Sequence, residues 1–216
     1  MARRILYELR EHIPFTALGA LSGIIILVII MLTHTPQPIS ETLFYFSHPL
    51  HVLLSSLVTT AMYRKYGSGR WWQTILIGYL GTVIPATLSD VIIPYLGGSL
   101  LRAQMEFELP FIDAGIMPVF GIAKWQIVNL MALIGIAIGY LKPLTKIPHA
   151  GHVFLSTWAS LFYFTAFGLA NWLSLLPLVF IFLFLAVWLP CCLSDIVFPL
   201  FFVPSTPKSK GVVYNT

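Results

Sequence analysis

Six stretches of the chain stay apolar for the length of a membrane crossing, and the polar residues inside them are few and patterned. A helix needs about 20 apolar residues to cross the hydrocarbon core. The stretches run approximately over 14–33, 42–63, 71–96, 125–141, 147–169 and 173–203. None alternates with the period of two expected of strands, so the pattern predicts an all-α polytopic membrane protein with six transmembrane helices. The first stretch follows Arg3, Arg4 and Arg10, as a signal peptide would. It is too long for such a segment and is followed by Thr33-His-Thr-Pro-Gln-Pro38 in place of a cleavage site, so it reads as an uncleaved first span.

The polar interruptions repeat. Pro85-Ala-Thr-Leu-Ser89-Asp90-Val-Ile-Ile-Pro94 returns as Pro190-Cys-Cys-Leu-Ser194-Asp195-Ile-Val-Phe-Pro199. Upstream of each copy, His48-Pro-Leu-His51-Val-Leu-Leu-Ser55 returns as His149-Ala-Gly-His152-Val-Phe-Leu-Ser156. The His phrases are offset by 101 residues and the Asp phrases by 105, in the same order. This predicts an internal duplication. It divides the chain into a first three-span repeat over 1–96, a linker over 97–124 and a second three-span repeat over 125–216. Gly97-Gly98, Pro110, Pro118 and the apolar content of the linker suggest a re-entrant or interfacial segment.

Charge adds an orientation. Arg3, Arg4 and Arg10 precede span one, Arg64, Lys65 and Arg70 join spans two and three, Lys142 and Lys146 join four and five, and Lys208 and Lys210 follow six. The positive-inside bias then places both termini in the cytoplasm, with the chain integral to the cytoplasmic membrane as a multi-pass protein. Three spans per repeat is an odd number, so the two repeats are expected to be inverted relative to each other. Inversion brings the two His pairs toward one level from opposite leaflets. Overall, 58% of residues are hydrophobic and only 9% charged, against roughly 25% charged in a soluble domain. The net charge of +4 therefore reports topology, and nucleic acid is not an expected partner. The expected partners are the lipid bilayer and a small-molecule or lipid substrate.

Composition sharpens the candidate chemistry. His48 and His51 are one helical turn apart on one face, as are His149 and His152. Asp90 and Asp195 are the only carboxylates within the apolar stretches, where an ionised group costs about 2.5–3.5 kcal/mol and normally faces a partner or a wet cavity. Each Asp lies between two prolines, which should kink or interrupt its helix and free backbone carbonyls. Imidazole and carboxylate together suit a divalent transition metal, zinc first, with iron or manganese as alternatives. The expected ligands are His48, His51 and Asp90 in one half and His149, His152 and Asp195 in the other, with Ser55, Ser89, Ser156 and Ser194 as hydrogen-bonding supports. The bland alternative is that each His–Asp set only ties helices together.

Other residues carry less. Cys191 and Cys192 are adjacent in an apolar run, poorly placed for a disulfide. Trp71, Trp72, Trp125 and Trp172 flank spans as interfacial anchors would, and His12 and His34 sit at span ends. Gly78, Gly81, Gly135 and Gly139 have spacing suited to close helix packing. Glu106, Glu108 and Asp113 could line an outer vestibule or form a solvated face.

The phrase His51-x-x-x-Ser55, followed 39 residues later by Asp90 within Leu88-Ser-Asp-Val-Ile-Ile-Pro94, resembles the membrane-bound metal-dependent hydrolase family of small polytopic proteins. His149-Ala-Gly-His152 stands for that family's later His phrase. Ile92 occupies the place of the family's second Asp with no His after it, and the later phrase lacks the family's Arg and Thr. The resemblance implies a bound divalent metal and hydrolysis of a bond in a membrane-embedded substrate; read onto the duplicated site, a hydrolase would use Asp90 and Asp195 in its catalytic machinery. Inverted repeats with proline-broken helices lead instead to a divalent-cation or proton-coupled transporter. A structural membrane subunit is a third possibility. No intramembrane Lys or Arg is present to stabilise a phosphate or an oxyanion.

Overall fold

The computed structural model describes residues 2–67, 70–117, 121–142, 146–192, 194 and 197–202. Among the described residues the protein is all-α apart from one short strand pair. Helix α1 spans Ala2–Leu32, α2 Gln37–Tyr66, α3 Trp71–Thr87, α4 Ile93–Leu100, α5 Lys124–Leu141, α6 Lys146–Phe167, α7 Leu176–Cys192 and α8 Phe198–Phe201. A π-helical turn, Leu88–Ile92, joins α3 to α4 without breaking the rod. Strand β1 (Gln104–Met105) pairs antiparallel with β2 (Gly168–Leu169).

Local signals account for the helix starts. Pro36 precedes α2 and Pro38 occupies its first turn, where a missing N–H costs nothing. Both α3 and α5 open with a glutamine reaching back: Gln73 accepts the Arg70 N–H at 2.8 Å, and Gln126 accepts the Ala123 N–H at 3.1 Å. Each satisfies one orphan donor of the first turn.

Among the described residues, four segments are long and apolar enough to cross a membrane: Ile13–Leu32, Trp71–Leu100, Lys124–Leu141 and Trp172–Cys191. They point to a multi-pass membrane protein. Their large apolar side chains face outward, as with Leu18, Leu21, Ile25 and Ile29 on α1 and Leu178, Ile181, Leu185 and Leu189 on α7. The two central helices have the opposite character. α2 and α6 lie against each other, with α5 and α3 packed on α2, and α1 and α7 packed on α6. Their interior is hydroxyl-rich: Ser55, Ser56, Thr59 and Thr60 from α2 and Ser156, Thr157 and Ser160 from α6 are all buried. In a protein whose outer surface meets hydrocarbon, burial in the bundle is where polar residues find partners.

Glycines permit the close approach. A Cβ on Gly135 would collide with the Leu53 carbonyl and the Ser56 hydroxyl, and one on Gly139 with the Leu57 carbonyl, so α5 rides directly on the α2 backbone. Gly78 meets the Thr60 hydroxyl in the same way. Gly97 and Gly98, expected to begin the linker, sit inside α4, where Phe182 and Met105 pack against them. The helix runs on to Leu100 because those side chains fill the space a Cβ would need.

The described part of the linker folds onto the bundle end. Tyr163 donates to the Glu106 carbonyl at 2.9 Å, Glu106 N–H bonds the Phe167 carbonyl at 2.7 Å, and Asn129 donates to the Phe111 carbonyl at 3.0 Å. Trp71, Trp72 and Trp125 are exposed as expected of interfacial residues. Trp172 is not: it is buried, edge-on to Phe164 at 5.2 Å, because the turn after β2 folds it back into the core.

Candidate metal centre

The prolines around Asp90 set the site's backbone. Pro85 has no N–H, which leaves the Gly81 carbonyl without its helical partner. Ser194 supplies one instead, its hydroxyl donating to that carbonyl at 2.6 Å. At the π-turn, Ile93 N–H reaches five residues back to Leu88, and Pro94 cannot make the next bond. The Ser160 hydroxyl takes the Ser89 carbonyl left over, at 3.0 Å. The prolines thus produce a widened turn, not the interruption expected, and hydroxyls from other elements satisfy what they free.

Asp90 sits in this turn, fully buried. His48 and His51 both approach the same carboxylate oxygen: their Nδ1 atoms lie 2.8 and 2.7 Å from Oδ2. The other oxygen, Oδ1, accepts the Ser89 hydroxyl at 2.6 Å and the Ser156 hydroxyl at 2.8 Å. Four donors therefore occupy the roughly four lone-pair sites of one carboxylate. The His48 ring is held flat against Phe44, 5.4 Å between centroids and 8° from parallel. Its Nε2 is buried with no hydrogen-bond partner.

His152 enters from α6. Its ring lies 5.7 Å from that of His51 and 17° from parallel, and it is fully buried. Among the described residues, two overlapping groups of side chains could hold a metal ion: His48, His51 and Asp90, and His51, His152 and Cys191. Within each group the ligand atoms lie within 4.8 Å of one another. Histidine, carboxylate and thiolate are ligand types that transition metals take.

The structure thus brings together His48, His51, Asp90, Ser89 and Ser156, and sets His152 beside them. Ser55 and Ser194 pair with each other at 3.0 Å, one layer away from Asp90. Asp195 and the side chain of His149 lie outside the described residues. Two features were not anticipated. Ser156, named as a hydrogen-bonding support without a stated partner, bonds Asp90 of the other half. Cys191, noted only as a poor disulfide candidate in an apolar run, joins the histidines. The repeat register held a signal for the hydroxyls, since Thr59 and Ser160 share the 101-residue offset. It held none for Cys191, which aligns with Ala86.

Of the acidic residues in the linker, Glu106 is exposed, as a solvated face requires, whereas Glu108 and Asp113 are partly buried and share one lysine. Lys124 Nζ lies 2.9 Å from Asp113 and 3.3 Å from Glu108, and stands 4.7 Å from the Tyr45 ring centroid. Burial pushes the Glu108 carboxyl above its ordinary value. At Asp113, burial acts in the same direction but is outweighed by the Gly115 N–H and the Lys124 ammonium, and the carboxyl falls below its ordinary value.

No protein family, curated protein or solved structure matches this chain.

Proposed function

We propose that the protein is a membrane carrier for a transition-metal cation, with its binding site buried between two inverted three-helix repeats. The observation that carries this reading is a cluster of metal-ligating groups drawn from both halves and closed to solvent. His48, His51 and Asp90 come from the first half and His152 and Cys191 from the second, and none is more than 4% exposed. A carrier must at some point enclose its cargo away from both faces, at the contact between the parts that move. A hydrolase acting through the same ligands must admit water and a lipid-sized substrate to them.

Exchange of hydrogen-bond partners between the halves supports the inverted repeat. Ser55 bonds Ser194 at 3.0 Å, and the equivalent Ser156 oxygen stands 3.2 Å from that of the equivalent Ser89. Thr59 donates to the Ser194 carbonyl at 3.3 Å, and the equivalent Ser160 to that of Ser89 at 3.0 Å. Neighbour relations follow the same rule: α1 packs on α6 and α7, while α5 packs on α2 and α3. In this reading six helical segments cross the bilayer, with both termini cytoplasmic.

The test is metal flux into proteoliposomes carrying an internal metal-sensitive dye. Wild-type protein should admit zinc above the rate of empty vesicles, and His51→Ala should abolish the difference. Bound metal without flux, together with metal-dependent cleavage of vesicle lipid, would overturn the carrier in favour of the hydrolase that the His–Ser–Asp resemblance implies.

A further inference from the structure

The two overlapping ligand groups are not equivalent. Around Asp90 the nitrogen–oxygen distances of 2.7 and 2.8 Å are hydrogen-bond lengths. Ligand atoms sharing one tetrahedral ion at about 2.0–2.1 Å would stand about 3.3 Å apart. Both carboxylate oxygens are, moreover, fully engaged: a cation on Oδ2 would have to displace two imidazole donors at once.

The same bonds do something else. An imidazole whose Nδ1–H is donated to a carboxylate has its tautomer and ring plane set, and its Nε2 lone pair left for a ligand. Asp90 therefore prepares His51 to bind through Nε2. Beside His51 stand the His152 ring and the Cys191 thiol, with ligand atoms within 4.8 Å of one another. In a tetrahedral site with sulfur at about 2.3 Å and nitrogen at about 2.0 Å, ligand atoms stand about 3.3–3.6 Å apart. The group must close by about 1.5 Å at most, which side-chain rotation can supply.

We infer that the cation is held by His51, His152 and Cys191, that Asp90 is a positioning residue and not a ligand, and that the cargo is a thiophilic ion of the zinc, cadmium or copper(I) class. This rests on the carrier reading for the word cargo, but the assignment of ligands does not. A thiolate selects against manganese and magnesium, which prefer oxygen donors. The site is also single. In the repeat register Cys191 aligns with Ala86, so the related position offers no sulfur and the two halves make one site across their junction.

Cobalt(II) is the probe, because thiolate coordination gives it a near-ultraviolet charge-transfer band that imidazole and carboxylate do not. Full-length protein in mild detergent is titrated with cobalt, alongside Cys191→Ser, Cys192→Ser and Asp90→Asn. The expected result is one cobalt per chain with the sulfur band in wild type and Cys192→Ser. The band should be absent in Cys191→Ser, and Asp90→Asn should keep it at weaker affinity. Zinc and cadmium should displace the cobalt, while manganese at equal concentration should not.

Stoichiometric cobalt without a sulfur band in wild type would overturn the inference and leave the carrier reading standing, with the ion at His48, His51 and Asp90. A band that survives in Cys191→Ser and disappears in Cys192→Ser would overturn the assignment of the thiol. No bound cobalt and no displaceable zinc would overturn both readings. The wild-type spectrum decides the first point even if Cys191→Ser fails to fold.

Discussion

Asp90 and Asp113 are both carboxylates held by several donors, yet their surroundings are built differently. Asp90 lies in the centre of the bundle and takes two imidazoles and two hydroxyls. Asp113 lies at the outer end and takes an ammonium and a backbone N–H. Its side chain is 27% exposed, and the Lys124 charge is shared with Glu108. At the rim, full charges neutralise one another and water covers the remainder. In the centre no Lys or Arg is present, and the negative charge is spread over short, weakly basic donors. The lesson lies in what is left over. The rim cluster uses up its charges on itself, whereas the central cluster sets imidazole and thiol groups close enough together to hold a guest ion.

The comparison breaks most visibly at Asp90. Asp90→Ala should weaken metal binding by about 100-fold, the upper end of the cost of losing a group that orients a ligand, and destabilise the fold by about 3–5 kcal/mol, because four buried donors lose their acceptor together. Elemental mass spectrometry and thermal unfolding in detergent read the two effects. Full stability with no metal would mean that the network serves the guest alone, and full metal content would remove Asp90 from the site.

Next come the two histidines, which the sequence treats alike and the structure does not. His51→Ala should remove the metal outright. His48→Ala should weaken binding by about 10–100-fold, the usual cost of losing a group that orients a ligand through another. Isothermal titration with zinc separates the cases, and equal losses would place both rings on the ion. A smaller step is Ser156→Ala, expected to cost about 1–3 kcal/mol through the vacant place on Asp90 Oδ1. Ser55→Ala should cost less, since Ser55 touches a hydroxyl and not the carboxylate.

How far the sequence reached follows from the kind of signal each residue carries. His48, His51 and Asp90 were legible because polar groups in apolar stretches are rare and these occur twice in order. Pro85 and Pro94 announced a disturbed helix, but nothing in their spacing distinguishes a π-turn from a break. That depends on whether hydroxyls such as Ser160 and Ser194 lie within reach. Which half supports which was illegible for a related reason. The match of Ser156 to its own half is a sequence relation, while its bond to Asp90 comes from α6 packing on the π-turn. Cys191 was hidden by its chemistry, because a thiol beside proline in a leucine- and phenylalanine-rich helix reads as core until two imidazoles are found next to it. Gly97-Gly98 read as a loop for want of the knowledge that Phe182 and Met105 fill the space beside them.

The smallest effects belong to the rim, where they test the other side of the comparison. Lys124→Ala should change stability by no more than about 1 kcal/mol, as for other part-exposed ion pairs, and leave metal content untouched. The pH response there has a definite sign. Asp113 has a lowered carboxyl in the folded protein, so its contribution is present above its ordinary value of 3.8 and fades as pH falls through the folded value. Glu108 is raised by burial, so its contribution is present below its ordinary value of 4.5 and fades as pH rises through the folded value. The two therefore oppose each other on either side of the interval from 3.8 to 4.5. Glu108→Gln removes the second response and keeps the first, so its stability relative to wild type should rise as pH increases above that interval. Melting temperatures measured from pH 4 to 7 would show this as a widening difference, and parallel curves would mean that Glu108 titrates at the rim as it does in water.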